Sequence, residues 1–557
     1  MHMDFLRVVQ RSPVILRLGA LVPVIFLSAC ATVPSAGLGD VNAEIPDDAG
    51  LVAIQVVSNA TRLSNTISQW DEVVVLRLSD GELLTIPSTG SGFVSTRAFV
   101  GALAPGEYAI AGLYAVRRLS NSTHTMTARV PPIVGRFNVE AHRFTNLGTL
   151  VFQPFEEATQ QNQSVSYLVS RIPSSAELMD LVRMQFPSEY ADLLSAEAIG
   201  WSEDDLGPLR EKVSGRVRKF ALATMVEPES DGSFWMLGRL GQAYRRDSSG
   251  AWSRISIDTP YQLTTAARLA DGSVIVGGER GALFRSHDGQ EIWDVLSFPL
   301  RDANITELGQ FDTGDLFALA EVSDAFVLMR SASGENWSQV ASFAKQKPGW
   351  LAEVYRFYTV SFPYVVQKGD RLDIWMDKQL IGYDAMTGEI TRKPAIEFSR
   401  LVVQGNGILV GREYSSWSGE KNPQYSVDGG KTWKEVEIGE GTFSTANGMP
   451  FVFGDGRLLK TGASSKFKLS TGWTELDAVS VLVSSDAGKS WSTIGSVPKR
   501  CGRLSHESST DEFLLAVCRD GRILGSRDGG RQWAHEFGEA PTTEDFPEFF
   551  PDESSTD

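Results

Sequence analysis

The stretch SVDGGKTW, Ser426–Trp433, recurs almost letter for letter as SSDAGKSW, Ser484–Trp491, and as SRDGGRQW, Ser526–Trp533. Degenerate copies stand upstream as SHDGQEIW, Ser286–Trp293, and SASGENW, Ser331–Trp337. The shared letters have a local physical logic. After the opening serine (Ser426, Ser484, Ser526), the carboxylate of Asp428, Asp486 or Asp528 can accept from backbone N–H groups of its own turn. Gly430, Gly488 and Gly530 supply a φ that other residues resist, and Trp433, Trp491 and Trp533 plug the space between strands. The pattern therefore predicts a structural turn, used several times over.

Around these turns the chain repeats itself every forty to fifty residues, roughly, from 215 to 537, the signature of an array of like units. The clearest unit reads YQLTTAARLAD, SVIVGG, ALFRSHDG and EIWDVLSF, four short strands separated by turns. Four strands per unit is the unit of a β-propeller. Trp252, Trp293, Trp337, Trp433, Trp491 and Trp533 each open a last strand. The double gap between Trp337 and Trp433 holds one more unit without the Trp, RLDIWMD, KQLIGYDAMTG, EITRKP, so the count is seven blades. The fold class is all-β, with a seven-bladed propeller.

The three clean turns resemble the Asp-box, or BNR, repeat of the sialidase-like superfamily, Ser-x-Asp-x-Gly-x-x-Trp. Val276-Gly277-Gly278-Glu279-Arg280-Gly281 followed by Ser286-His287-Asp288-Gly289 is similar in wording to the non-catalytic photosystem-assembly-factor-type propellers. That resemblance implies a scaffold that binds protein or glycan. In a four-stranded blade the third-to-fourth turn shares a face with the first-to-second turn, whereas second-to-third loops and interblade links share the other. The expanded segments, 343–355, 412–424 and 456–477, all fall on that second face. They carry Trp350, Tyr414, Trp417 and Trp473, with Lys345, Lys347, Lys421, Lys460, Lys466 and Lys468, as a candidate ligand face.

The other chain end has a separate message. Arg7, Arg11 and Arg17 precede an apolar run, Leu18 to Leu27, too short to span a bilayer, which is the form of a signal peptide. Leu27-Ser28-Ala29-Cys30 resembles the lipobox of bacterial lipoproteins, which implies a signal peptide over 1–29 and a lipidated Cys30. Buried acyl chains such as palmitate contribute about 0.8 kcal/mol per methylene, so several anchor stably where one does not. Ala31 in place of Asp implies sorting to the outer membrane, with the body in the periplasm or on the cell surface. Removal of 1–29 takes away three Arg and Asp4 from 52 basic and 69 acidic residues, leaving 49 and 68, a net charge of −19. A body of that charge excludes nucleic acid as a partner of its overall field. Cys501 and Cys518 then remain as an even pair in an oxidising compartment, either a disulfide contributing roughly 3 kcal/mol or two buried thiols.

Residues 30–50, rich in Gly, Pro, Ala and Asp, read as a flexible spacer. Residues 51–155 alternate short β-branched runs with turns and predict a small β-sandwich. Within it LAPGEYAIAGL and FNVEAHRFTNLGTL loosely resemble transthyretin-like and carboxypeptidase-regulatory-like sandwiches, with His142 at a position where those have Gly. Residues 156–214 read as a helical connector, with Ser174 and Glu177 in capping-box form and a second helix from Pro187. The acidic tail, 538–557, reads as disordered, although Phe546, Phe549 and Phe550 could dock.

No catalytic set stands out: there is no G-x-S-x-G elbow, H-E-x-x-H or phosphate loop, and no metal-ligand spacing or cofactor motif. Ser170-Arg171-Ile172-Pro173 matches part of a sialidase phrase but lies far ahead of the first blade. Arg268, Arg412 and Arg503 do not occupy equivalent positions as a substrate-binding trio. The expectation is an envelope-anchored binding platform for a protein or glycan. The alternative is a glycoside hydrolase, marked by a carboxylate pair at the centre of the loop face.

Overall fold

The computed structural model describes residues 48–60, 69–89, 95–119, 122–155, 166–172, 176–185, 193–194, 197–229, 231–289, 291–345, 363–376, 378–396, 398–415, 419–437, 449–462, 465–468, 472–475 and 478–550, with Ser35 and Pro46. The leader 1–29, Cys30 and most of the spacer lie outside them. The chain forms two compact units, 1–222 together with 540–557, and 223–539.

The first unit is a nine-stranded sheet folded over on itself. Its strands are β1 (Gly50–Ser58), β2 (Glu72–Arg77), β3 (Leu83–Thr89), β4 (Thr96–Leu103), β5 (Gly106–Leu119), β6 (Ser122–Arg129), β7 (Arg136–Val139), β8 (Phe144–Pro154) and β9 (Tyr167–Ile172). Hydrogen bonding runs in the order β6-β5-β2-β3-β4-β1-β8-β9, with β7 on β5. Both halves of this path send side chains into one core, among them Val52, Ile54, Val73, Phe99, Tyr108, Phe137 and Phe152. β1 is apolar at nearly every position because it is covered twice, as a strand buried on both faces must be. Val52, Ile54 and Val56 face the sandwich core, and Leu51 and Ala53 face Leu178, Leu181 and Val182 of helix α1 (Ala176–Gln185). β1 pairs parallel with β8 and antiparallel with β4. His142, where the loosely similar phrases carry Gly, holds a left-handed φ of 55°.

Three sequence readings change here. The segment 156–214 is more than a connector, because β9 within it adds the last strand to the sheet, from Thr149↔Ile172 to Pro154↔Tyr167. A second helix, α2 (Gly207–Lys219), closes it and runs past 214. Its Pro208 near the start and its basic last turn of Arg216, Arg218 and Lys219 are favourable end signals. Ser174 of the capping box, and the start of the helix expected from Pro187, lie outside the described residues. The tail is not a disordered end over its described part, 538–550. Phe546 and Phe549 are buried, and Phe546 packs on Phe155 and Phe220 of the first unit. Burial of the aromatic rings outweighs the repulsion among acidic neighbours that composition alone suggested.

The second unit is a seven-bladed β-propeller. The blades span 223–256, 263–295, 304–344, 364–394, 398–435, 451–498 and 503–537, each a four-stranded antiparallel meander. In blade six a two-stranded hairpin, Ser465–Lys468 with Gly472–Glu475, is inserted between the second and third strands. Seven separate hydrophobic clusters fill the seven spaces between neighbouring blades. Each Trp at the start of a last strand sits in the cluster shared with the preceding blade, so it plugs the gap between blades rather than between strands. Blade four has no such Trp, and its seam with blade three is filled by Phe311, Phe326, Phe343 and Tyr383. Blades one and seven each use four consecutive strands, so the ring closes by packing rather than by strand exchange. Phe234, Met236 and Tyr244 meet Leu515, Val517 and Ile523, and Trp252 stacks on Phe537 at 4.9 Å.

Candidate functional site

The repeated turns are built as their letters require. Ser426 Oγ donates to Asp428 Oδ1 at 2.7 Å and accepts from Gly430 N at 2.8 Å. Lys431 N and Thr432 N donate to Asp428 Oδ1 at 3.0 and 2.9 Å, and Trp433 Nε1 donates to the Gly430 carbonyl at 3.1 Å. Ser484, Asp486, Gly488 and Ser490 repeat the network, as do Ser526, Asp528, Gly530 and Gln532. The degenerate copies keep the serine–glycine part, Gly289 N to Ser286 Oγ at 3.0 Å and Gly334 N to Ser331 Oγ at 2.9 Å. Donors of the turn itself hold the acids low. The Ser490 hydroxyl, then its N–H, pulls Asp486 down to about 2, and the hydroxyl and N–H of Thr432 hold Asp428 well below the usual carboxylate range. In each copy Oδ1 of the carboxylate is taken up by donors of its own turn, which marks these acids as structural.

On the opposite face the ring is elaborated. The second hairpin of blade five, Leu409–Ser415 with Gly419–Ser426, extends until Ser415 pairs with Gly419. The insert in blade six belongs to the same face, whereas the link between blades three and four lies outside the described residues over 346–362. Tyr414 lies opposite Glu420 in the first hairpin, and Trp473 opposite Phe467 in the second. Trp350 and Trp417, and the side chains of Tyr414 and Trp473, fall outside the described atoms. Of the lysines expected beside them, Lys347 and the side chains of Lys466 and Lys468 also fall outside the described atoms, and the other three are spent. Lys345 pairs with Glu321 at 2.9 Å and Lys421 with Glu413 at 2.6 Å. Lys460 is not on a loop: it belongs to the second strand of blade six, Leu458–Thr461, where it is buried with its ammonium 4.1 Å from the Trp491 ring centre. Burial, then the charge of Arg412, pulls Lys460 down to about 8.

The ring axis holds a cluster that sequence reasoning missed. The first strands of neighbouring blades approach one another, as where Leu308 N donates to Thr265 Oγ1 at 3.1 Å. Glu227 of blade one feels Glu307 of blade three and Glu507 of blade seven, and accepts a hydrogen bond from Thr265 of blade two. Side chains of four blades can meet only at the centre. Arg503 and His506 of blade seven feel Arg400 of blade five there. Glu227, Glu307 and Glu507 are half-buried. Burial raises Glu307 to about 7; burial and then the Glu307 charge raise Glu227 well above the carboxylate range. Two such acids sharing an axis can hold one proton between them near neutrality. His506 is buried and kept neutral, with Nε2 placed 3.0 Å from the Met449 carbonyl oxygen.

Of the arginines weighed as a trio, Arg268 is committed to Glu229 at 2.7 Å, and Arg503 belongs to the axis. Arg171 lies on β9 in the first unit. Cys501, in the link ahead of blade seven, and Cys518 of blade seven form a disulfide. Among the described residues no three His, Cys, Asp or Glu side chains are placed to hold a metal ion, and no helix is long and apolar enough to cross a membrane.

No protein-family profile matches the chain, and no curated protein matches it either. Solved structures do. YCF48 from Cyanidioschyzon merolae aligns with 51% of this chain and 88% of its own at 14% identity and a TM-score of 0.35. Catalytically inactive virginiamycin B lyase from Staphylococcus aureus, with quinupristin, aligns with 57% of this chain and 93% of its own at 12% identity and 0.32. The GH74 xyloglucanase from Xanthomonas campestris aligns with 55% of this chain and 53% of its own at 13% identity and 0.23. Likenesses of that strength carry no argument about ligand or activity. The blades themselves make this chain a seven-bladed β-propeller protein with an N-terminal β-sandwich.

Proposed function

We propose that the protein is an envelope lipoprotein, anchored to the outer membrane through Cys30, whose propeller is a binding platform for a protein or glycan of the envelope. One observation carries the platform reading: the extended hairpin of blade five and the inserted hairpin of blade six rise from the same face, opposite the repeated turns. Elaboration confined to one face of a rigid ring is how scaffolds present binding surfaces. The lipobox letters at Leu27–Cys30 support the anchor, and Trp417 and Trp473 are the side chains assigned to the ligand.

A second reading, a glycoside hydrolase, is favoured by the raised acids Glu227 and Glu307 on the axis. One experiment separates the two. The soluble chain from Ala31 to Asp557 is incubated with an envelope glycan and peptidoglycan panel, and retained and cleaved material is read by mass spectrometry. The platform reading expects retention without cleavage, lost on Trp417→Ala or Trp473→Ala, or else a protein partner captured by crosslinking in the intact envelope. Cleavage that Glu307→Gln abolishes would overturn it in favour of the hydrolase.

A further inference from the structure

The tail returns from the end of the propeller to dock on the first unit, and the way it docks is informative. Arg216 of α2 donates to the Asp545 carbonyl and pairs with Glu548 at 2.6 Å, and Lys212 stands 3.4 Å from the same carboxylate. Phe546 lies under the Arg216 guanidinium, 5.4 Å from its carbon, and against Phe155 and Phe220. Phe549, three residues on, closes a pocket formed by Val134, Val169, Arg171, Arg210 and Val213. The groove is thus basic and apolar, and its occupant acidic and aromatic.

The occupant fits incompletely. A cavity of about 10 Å³ remains beside Phe549, room for one water. Arg210 donates to both oxygens of Asp204 and to the Ile133 carbonyl, whereas Nη1 of Arg171 is buried without an acceptor. Burial, then the charge of Arg210, pulls Arg171 down to about 10. Ser170 Oγ, Arg216 Nε and Glu548 Oε2 are buried without partners as well. Arg171 and Ser170 both line that cavity, so they face the one part of the pocket for which the phenyl ring of Phe549 carries no polar group.

We infer that the groove between the Pro132–Val134 turn, β9 and α2 is a recognition site for an acidic peptide of another protein. The chain's own residues 541–550 occupy it as a displaceable stand-in. The recognised segment carries two aromatic residues three positions apart, an acidic residue between them for Arg216, and a tyrosine in place of Phe549. A tyrosine hydroxyl would enter the residual cavity and accept from Arg171 Nη1.

The test uses a labelled synthetic peptide of residues 540–557, titrated by fluorescence anisotropy against the soluble chain and its Phe546→Ala/Phe549→Ala double variant. The tethered tail competes in the parent chain at high effective concentration, so the variant should bind the peptide about tenfold more tightly or better. A peptide carrying Phe549→Tyr should bind more tightly still, and Arg216→Ala in the chain should remove the binding. No binding to a variant that keeps the parent's circular dichroism and unfolding midpoint would overturn the assignment. Dimerisation of the parent chain at high concentration, abolished in the variant, would also overturn it by giving the groove to the tail of a second copy. If the variant does not fold, hydrogen exchange on the parent chain decides. Amides of 541–550 exchanging well before those of β9 and α2 support displacement; exchange only with global unfolding sinks it.

Discussion

The ring carries two sets of acids that behave oppositely. At its rim Asp428, Asp486 and Asp528 are held low by donors lying within four residues of each. At its axis Glu227 and Glu307 are held high by burial and, for Glu227, by the Glu307 charge. The rim acids are structural because the surrounding backbone completes them. The axial acids are unfinished electrostatically, which is the state in which a carboxyl can still respond to pH or to a ligand.

The largest effect that would break this contrast is expected at the rim. A Cβ on Gly488 would sit 1.9 Å from the Glu437 carbonyl oxygen while φ stays at +91°. Gly488→Ala should therefore cost about 2–4 kcal/mol, combining overpacking with left-handed strain. An unchanged denaturant midpoint would mean that the turn is not what joins blades five and six.

A smaller effect, with opposite signs at rim and axis, should appear with pH. Glu307 has its folded value raised above its unfolded one. Its protonated form favours the fold, and that stability is present below about pH 4.5 and is lost as pH rises through about 7. Glu307→Gln should stabilise the ring at pH 8 by on the order of 1 kcal/mol, discounted for water along the axis, and by nothing at pH 4. Asp486 runs the other way. Its contribution is present above about pH 4 and lost as pH falls through about 2, so Asp486→Asn should flatten only the acid limb of the midpoint-against-pH curve. Equal effects of either substitution across the whole range would remove the distinction.

The smallest prediction sharpens the comparison between copies of the turn. Gly429 and Gly529 hold φ of +72° and +71°, and the third copy places Ala487 there at +59°. Ala487→Gly should raise stability by a few tenths to about 1 kcal/mol in thermal unfolding. No rise would show that the alanine's side chain contributes more than its strained backbone costs.

Legibility followed the distance between partners along the chain. The seven blades, the turn chemistry and the sandwich strands β1 to β5, β7 and β8 were readable because each depends on residues a few positions apart. β6, STHTMTAR, was missed because a polar strand completed by β5 carries little apolar signal of its own. β9 was read as part of a connector because a six-residue run says nothing of the β8 edge it completes. Lys460 was placed with a loop because a lysine in a strand looks solvent-facing until Trp491 is laid over it. For the candidate ligand face, the hairpins that carry Tyr414 and Trp473 were legible as expanded segments, but their form as paired strands was not.

By itself the sequence determined the repeat, the all-β class, the blade count and the reason each rim turn holds, since a carboxylate and its donors fit inside eight letters. Only the tertiary structure decided that the ring closes without exchanging a strand, that residues 227, 265, 307 and 507 share one axis, and that an acidic tail returns to a basic groove on the first unit. Those partners are separated by tens to hundreds of residues. Local propensity carries no term for them, and they meet only once the blades have packed and the loop-closure entropy between them has been offset.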